Sequence, residues 1–276
     1  MAFIETKDLA SELDSYLQRE PLNFVNAHDA IRPDLAGLQL FESSLVGAVS
    51  ADSPDFELFR QPEVVGPETL LPCDWIPGAR SVVSFFLAFS SRVKESNCED
   101  AVEPSAEWLH ARIEGQDAVV AVGKHLESML QDMGYQAVYA AADPRFKRLG
   151  TFLSNWSERH VAYACGLGTF GLSRGLITAK GMAGRFGSII TDAPVEPTPH
   201  DYEGPFDYCI MCGVCEQNCP VNAIDASKGV AAGKSHELCF PHVGKNRIAT
   251  TGSKKARYGC GKCQVNVPCQ DKIPGR

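Results

Sequence analysis

The sequence predicts an α+β fold in two unequal parts, and three observations support this prediction. Helical and strand patterns are mixed, without the regular βαβ alternation of a parallel sheet. Eight of the eleven cysteines fall within the last 68 of the 276 residues. The cysteine-rich segment is preceded by PVEPTPHDYEGPFDY, a proline-rich stretch that is typical of a linker. We therefore predict an N-terminal domain (1–193), a linker (194–208) and a small C-terminal domain (209–276).

Two segments predict how the N-terminal domain packs. DLASELDSYLQRE (8–20) places three leucines on one stripe of a helix, which is expected to lie against the core. RSVVSFFLAFS (80–90) follows the turn signal IPG and has the β-branched and aromatic content of a central strand. No apolar run in the sequence reaches the length needed to span a membrane.

Residues that commonly start and end helices predict the next elements. A long helix is predicted from Ser105 to Met133, closed by Gly134, with YQAVYAAA (135–142) returning as a strand. Further along, the apolar stretches GLITA and GSIIT flank KGMAGRF, a pattern that predicts a hairpin.

The cysteine spacing predicts two 4Fe–4S clusters. CIMCGVCEQNCP has the ferredoxin spacing, in which three cysteines bind one cluster and the fourth crosses to a second. Four more cysteines follow downstream, three of them in CGKCQVNVPC. Each group of three is paired with the crossing cysteine of the other group. The predicted ligands are Cys209, Cys212, Cys215 and Cys269 for one cluster, and Cys219, Cys239, Cys260 and Cys263 for the other.

Two other uses of these cysteines remain open. Disulfides are disfavoured because MAFIETKDLASELDSYL has no hydrophobic signal, so a reducing cytoplasm is expected. Zinc is disfavoured because its sites commonly use two separated CxxC pairs, whereas three cysteines at i, i+3 and i+6 suit one face of a cluster.

Charge is distributed unevenly along the chain. The net charge is −8, yet residues 245–276 carry eight Lys or Arg against the single acid Asp271. Such a basic tail could bind nucleic acid or an acidic redox partner. The interpretation we favour is that it offsets the negative charge of two thiolate-bound clusters.

A glycine-rich turn, ACGLGTFGLSRGLIT, is the second informative motif. Its spacing matches the dinucleotide fingerprint, but that motif needs a strand before it and a helix after it, and here the helix-like SERHVAYAC comes first. The glycines require a sharp turn or a close approach, either by a flat cofactor or by a neighbouring strand. On the helix before the turn, His160 and Tyr163 share one face and are the candidate proton donors.

The glycine turn, the following GxxG, strand and TD segment, and the CxxCxxCxxxCP run with its split second set resemble epoxyqueuosine reductase and the reductive dehalogenases. The resemblance implies a nitroreductase-like α+β domain, a bacterial ferredoxin-like domain with two clusters, and a cobalamin that reduces a small organic substrate. A ferredoxin or flavodoxin would supply low-potential electrons. The turn would lie against the corrinoid through Gly166, Leu167, Gly168, Thr169, Phe170, Gly171 and Leu172.

The sequence departs from the epoxyqueuosine reductase pattern at its acid. Counting back six residues from Glu158 and Arg159 reaches Phe152, where that family has an Asp taken as the proton donor. Glu158 and Arg159 themselves are expected to form a local ion pair or a helix cap. Two functions follow. One is a cobalamin-dependent reductase, and the other is an electron-transfer or activating protein for a partner such as a corrinoid protein.

Overall fold

The computed structural model describes residues 3–245, 248–249 and 255–276. Within these ranges, no helix combines the length and apolar character that crossing a membrane requires. The helices are α1 (Thr6–Arg19), α2 (Pro54–Phe59), α3 (Pro72–Trp75), α4 (Ser91–Ser96), α5 (Ala106–Asp132), α6 (Glu158–Ala164), α7 (Val214–Gln217), α8 (Gly229–Ala232) and α9 (His236–Lys245). Short 3-10 turns lie at Pro21–Asn23, Pro33–Leu35, Ala140–Ala142, Ala226–Lys228 and Lys262–Gln264.

The strands form one main sheet and two short hairpins. They are β1 (Phe41–Ser50), β2 (Ser81–Phe89), β3 (Ala137–Tyr139), β4 (Gly168–Phe170), β5 (Leu176–Thr178), β6 (Gly184–Thr191), β7 (Ile248–Ala249) and β8 (Ala256–Arg257). The main sheet has the order β1-β2-β6-β3 and is antiparallel throughout, while β4 pairs with β5 and β7 with β8. This mixture of helices and an antiparallel sheet confirms the α+β prediction.

Helices cover both faces of the sheet. The predicted leucine stripe is confirmed, since Leu9, Leu13 and Leu17 of α1 are buried. β2 is the central strand that the sequence predicts, because β1 and β6 flank it and all nine of its residues are buried. Its alternate residues face opposite ways: Phe85 packs in the core with α1 and α5, whereas Phe86 packs beside α6 and β4.

The long helix α5 also matches its prediction closely. The Ser105 side chain accepts a hydrogen bond from the Trp108 amide at 3.1 Å, which caps the first turn. Gly134 follows the last turn with φ +89°, the left-handed conformation that commonly ends a helix. The returning strand β3 is shorter than predicted, because it pairs only with the last residues of β6 before the chain turns into a 3-10 helix.

The predicted hairpin between GLITA and GSIIT is wrong. The chain does reverse at Gly181, whose amide donates to the Thr178 carbonyl at 2.9 Å. The two strands then separate, since β5 pairs with β4 whereas β6 pairs with β2 and β3. β6 enters the main sheet because Ile189 and Ile190 bury themselves in the cores on its two faces.

The proline-rich stretch has no helix or strand, yet it packs closely. The Thr198 amide donates to the Ala48 carbonyl at 2.9 Å, and the Val195 amide donates to the Ser81 hydroxyl at 3.0 Å. Tyr202 is also buried. The division at 194–208 stays a prediction, but this stretch is fixed to the N-terminal part by hydrogen bonds.

Buried cations join the C-terminal cysteine segment to α5 and to the loop between α4 and α5. Lys262 donates to the Asn97 and Asp100 carbonyls at 2.8 and 2.7 Å. The Arg257 Nε donates to the Glu114 carboxylate at 2.9 Å. Both cations are buried. For these two members of the basic tail the hydrogen-bond partners are groups of the N-terminal part, which the sequence did not indicate.

Candidate functional site

Two cavities are each lined by one of the predicted cysteine quartets. The first, which we call the small cavity, is bordered by Cys209, Cys212, Cys215 and Cys269 and has an empty volume of about 380 Å³. The second, the large cavity, is bordered by Cys219, Cys239, Cys260 and Cys263 and has an empty volume of about 1580 Å³. The structure therefore brings together the same two sets that the spacing predicts.

Local backbone geometry places the cysteines of the small cavity. Gly213 adopts φ +75°, a left-handed conformation that suits glycine, and starts the short helix α7 that carries Cys215. Cys269 arrives from the end of the chain, where its carbonyl accepts from the Met182 amide at 3.1 Å. Apolar side chains complete the lining, among them Leu172. The four thiols thus meet in an apolar enclosure.

Burial changes the chemistry of these thiols. Burial, followed by the neighbouring cysteines, raises the pKa of Cys215 to about 12, and burial likewise raises the pKa of Cys269 to about 12. Without metal both thiols are therefore neutral at pH 7. Because iron binds thiolates, cluster assembly must release their protons and becomes less favourable as the pH falls.

The cysteines of the large cavity come from three places. Cys219 follows α7, Cys239 lies on α9, and Cys260 and Cys263 flank the start of the last 3-10 turn. Burial raises the pKa of Cys260 to about 11. The Lys234 ammonium lies 3.7 Å from the Cys263 sulfur. A bound cluster would therefore have a cation beside it.

The zinc alternative requires ligands that converge on one ion. In the part of the chain that the structure describes, no three His, Cys, Asp or Glu side chains are close enough together to hold a single metal ion. Each cysteine quartet instead surrounds an open volume.

A buried carboxyl group also borders the large cavity. Ser188 donates to Glu158 Oε2 at 2.6 Å and accepts from the Trp156 indole at 2.8 Å. The other oxygen, Oε1, is buried and has no hydrogen-bond partner among the described residues. Burial raises the pKa of Glu158 to about 7, and the Ser188 hydrogen bond acts in the opposite direction. Glu158 can therefore carry a proton at neutral pH.

Glu158 is the functional candidate that the sequence reasoning missed. The expected ion pair with Arg159 is wrong, because Arg159 donates to the Arg174 carbonyl at 2.9 Å and Glu158 bonds Ser188. The one available signal was its position at the start of a helix that leads into the glycine turn. Its burial depends on β6, which lies 30 residues away in sequence.

The two predicted proton donors lie elsewhere. His160 accepts or donates a hydrogen bond with Ser157 at 2.7 Å, and burial, with help from Arg159, lowers its pKa to about 4, so it is neutral at pH 7. Tyr163 stacks on Tyr202 with ring centroids 5.3 Å apart, and burial raises its pKa. Neither residue is among the described residues that line the two cavities.

The glycine turn is packed mainly against protein. A Cβ on Gly168 would lie 1.9 Å from the Ile177 carbonyl oxygen of β5, and one on Gly166 would lie 3.1 Å from the Thr198 carbonyl oxygen. Of the predicted residues 166–172, Gly171 and Leu172 line the small cavity, and none borders the large one. The neighbouring strand therefore accounts for the close approach at Gly168.

The three remaining cysteines differ from one another. Cys165 is buried, with its sulfur 3.4 Å from the Val82 carbonyl, and burial raises its pKa. Cys73 and Cys98 are exposed.

Comparisons with known proteins agree with this geometry. Residues 205–225 match the family described as "4Fe-4S binding domain". No curated protein sequence matches the chain. Among solved structures, an epoxyqueuosine reductase with an epoxyqueuosine-modified tRNA stem loop is 17% identical, with a TM-score of 0.54, over 98% of this chain and 68% of that one.

Two further structures have the same fold. Epoxyqueuosine reductase from Bacillus subtilis is 17% identical, with a TM-score of 0.51, over 98% of this chain and 67% of that one. A reductive dehalogenase described as suggesting a mechanism for B12-dependent dehalogenation is 16% identical, with a TM-score of 0.51, over 85% of this chain but only 31% of its own length. This chain therefore has the fold of the epoxyqueuosine reductases and reductive dehalogenases, together with a 4Fe–4S binding segment.

Proposed function

We propose that this protein is an iron–sulfur reductase in which two 4Fe–4S clusters deliver electrons to a substrate in the large cavity. One observation carries the proposal: the second cysteine quartet and the protonatable Glu158 border the same cavity. An electron source and a proton source then face one space, which is what a reduction requires. The substrate is a small organic molecule, and the electron donor is a low-potential protein such as ferredoxin or flavodoxin.

The two clusters would lie next to each other. Ser173 and Met182 border both cavities, so a single layer of side chains separates them. Met182 Sδ lies 3.4 Å from the Cys269 sulfur on the small-cavity side. Electrons would enter at the small-cavity cluster, whose ligand Cys212 is exposed, and pass to the large-cavity cluster.

Cobalamin is the proposed electron acceptor in the large cavity. Both cavities have four cysteines, yet the empty volume of the large one, counted with the space that opens to solvent, is about four times that of the small one, which favours a further group beside a cluster. A bound cobalamin would supply a cobalt ion that passes electrons to an organic substrate. Gly175, Leu176 and Phe186 border the cavity and would hold it. This placement moves the corrinoid from the predicted turn at 166–172 to the residues directly after it.

Glu158 would supply the proton that accompanies reduction. Ser188 holds Oε2 in place, so Oε1 is the oxygen free to carry and donate the proton. A pKa of about 7 keeps both the acid and the carboxylate accessible at neutral pH. After transfer to the substrate, the carboxylate would be reprotonated from solvent. In this role Glu158 replaces the aspartate that the sequence lacks.

A second function is an electron-transfer or activating protein for a partner such as a corrinoid protein. Phe152 favours it, because the resemblance puts the family's acid at this sequence position, and the Phe152 side chain, which is 47% exposed, cannot donate a proton. A nucleic-acid partner is less favoured, since Arg257 and Lys262 of the basic tail are buried in the protein. Location in the reducing cytoplasm stays a prediction.

Anaerobic reconstitution separates these functions. The clusters are rebuilt, cob(II)alamin is added, and the desalted protein is examined by visible and electron paramagnetic resonance spectroscopy. We expect about eight irons per chain, as two four-iron clusters require, and retained cobalamin. Two clusters without retained cobalamin would favour the electron-transfer protein, and fewer than two clusters would contradict the proposed function.

A further inference from the structure

Apart from the four cysteine thiols, the charged side chains that border the large cavity are mostly cationic. Four basic residues border it, Arg112, Arg159, Arg185 and Lys234, against one acid, Glu158, which burial holds near half protonation at neutral pH. Arg112, Arg185 and Lys234 are half-buried, whereas Arg159 is exposed. A charge that is partly removed from water is costly unless another group compensates it. The partners of these four basic residues therefore decide what the cavity can bind.

The three arginines have no carboxylate partner among the described residues. Arg159 donates to the Arg174 carbonyl at 2.9 Å. Arg185 donates to the side-chain oxygen of Gln116. Arg112 lies over the Tyr258 ring, 4.2 Å from its centroid. Each arginine is thus positioned by a neutral group, which leaves its charge available to a ligand.

Lys234 has a different role. Its ammonium lies 3.7 Å from the Cys263 sulfur, beside the cysteines of the proposed cluster. Arg159 is also within electrostatic reach of these cysteines, because burial lowers the pKa of Arg159 and Cys263 acts in the opposite direction. The arginines are close enough to disfavour one another. Burial, together with Arg112 and Arg159, lowers the pKa of Arg185 to about 10. An anion among them would relieve this repulsion.

The cavity also offers apolar surface. Phe89, Trp108 and Phe186 border it and can cover the carbon skeleton of a ligand. Two buried atoms that have no hydrogen-bond partner among the described residues, Glu158 Oε1 and His242 Nε2, belong to residues that border the same cavity. Polar groups without partners at a partly aromatic cavity are typical of a ligand site.

We infer that the substrate is an organic anion, and that its carboxylate or phosphate group binds to the guanidinium groups of Arg159 and Arg185. Guanidinium groups bind planar oxyanions through paired, charge-assisted hydrogen bonds. Arg112 adds positive charge at the same cavity. This inference rests on the proposed function, whose substrate it assigns to a chemical class.

A matched pair of ligands tests the inference without any mutation. Reconstituted holoprotein is titrated at low salt with benzoate and with benzamide, which differ in charge but little in shape, and with phenyl phosphate. Binding is followed by calorimetry and by the fluorescence of Trp108 in the cavity wall. We expect benzoate or phenyl phosphate to bind about 10-fold or more tightly than benzamide. Equal binding of benzoate and benzamide would overturn the inference.

Substitution then assigns the residues. Arg185→Gln and Arg159→Gln each weaken binding of the anion by about 10- to 100-fold, because each removes a charged hydrogen-bond donor. Arg60→Gln is the control, since Arg60 is an exposed residue paired with Glu57 on α2. Unchanged anion binding in both cavity variants would overturn the assignment. Iron content is measured for every variant, and Arg159→Lys, which keeps the charge, is included.

Cobalamin provides a competing source of phosphate. If benzoate binding persists in protein loaded with cob(II)alamin, the arginines serve the substrate. Displacement of benzoate by cob(II)alamin would overturn the inference, because the arginines would then hold the phosphate of the corrinoid. If both clusters assemble but the protein shows no preference for anions, only this inference is overturned. If two clusters fail to assemble, the proposed function is overturned as well.

Discussion

Each of the two cavities is bordered by four cysteine thiols, but the other residues around the thiols differ between the cavities. The small cavity is lined by apolar residues such as Leu172, Ile177 and Val267 and leaves little space beyond that for a cluster. The large cavity adds a protonatable carboxyl, three arginines and aromatic rings. Two sets of four cysteines therefore have surroundings that suit different tasks. An apolar site suits electron transfer alone, while a charged and roomy one suits binding and proton transfer.

Removal of iron should have the largest effect on this pair of sites. Thiols whose pKa is raised by burial, as for Cys215 and Cys269, are neutral without metal, and the cavities then lose the bonds that close them. We expect chelated protein to keep a protease-resistant core at 1–193 and to lose resistance in 209–276. Limited proteolysis with mass spectrometry measures this. Equal resistance of both parts would contradict it.

Single cysteine changes should separate the two cavities. Cys269→Ala is expected to remove the small-cavity cluster and spare the other, and Cys263→Ala to do the reverse, so that iron falls from about eight to about four per chain in each case. Cys73→Ala is the control, since Cys73 is exposed and borders neither cavity. Iron analysis and electron paramagnetic resonance check the result. Loss of both clusters, or of neither, would count against the ligand assignment.

Glu158→Gln sharpens the comparison at the large cavity. The pKa of Glu158 is about 7 in the folded protein, above its value of about 4.5 in an unfolded chain, so the folded state binds the proton more tightly. The stability from this proton is complete below about pH 4.5 and is lost as the pH rises through 7. Between pH 6 and pH 8 the wild type should lose about 1 kcal/mol of unfolding free energy that the variant does not lose.

Urea unfolding of the holoprotein at several pH values measures this difference. Glu57→Gln is the matched control, because Glu57 is an exposed carboxylate paired with Arg60. Parallel pH profiles for the wild type and Glu158→Gln would show that the carboxyl is ionised throughout and would remove it as a proton donor.

Gly168→Ala tests whether the glycine turn is structural. The new Cβ would meet the Ile177 carbonyl oxygen, so we expect a loss of about 1–3 kcal/mol of unfolding free energy even without cobalamin. Gly78→Ala is the comparison, since Gly78 has φ +83° but nothing within 4 Å of an added Cβ, and roughly 1 kcal/mol is expected there. Thermal unfolding of cobalamin-free protein checks both. Unchanged stability of Gly168→Ala would contradict the structural role of Gly168 and would favour the alternative that a bound cofactor requires the glycine turn.

Much of the fold could be predicted from the sequence because the patterns that indicate its elements are local. The leucine stripe of α1, the apolar strand β2 and the capped helix α5 each depend on residues close together in the chain. The wrong hairpin shows the limit of such signals. β5 and β6 are adjacent in sequence, but they do not pair with each other. β5 pairs with β4 and β6 pairs with β2, because these pairings bury their apolar side chains.

The sequence by itself predicted the two cysteine sets that line the two cavities, because the spacing of thiols in a cluster motif is a covalent property of the chain. Only the tertiary structure decided what stands beside each set. Glu158 becomes protonatable because β6 buries it, and Arg159 and Arg185 reach one cavity although 26 positions separate them in sequence. Burial and charge proximity depend on the packing of distant segments, which no local pattern records.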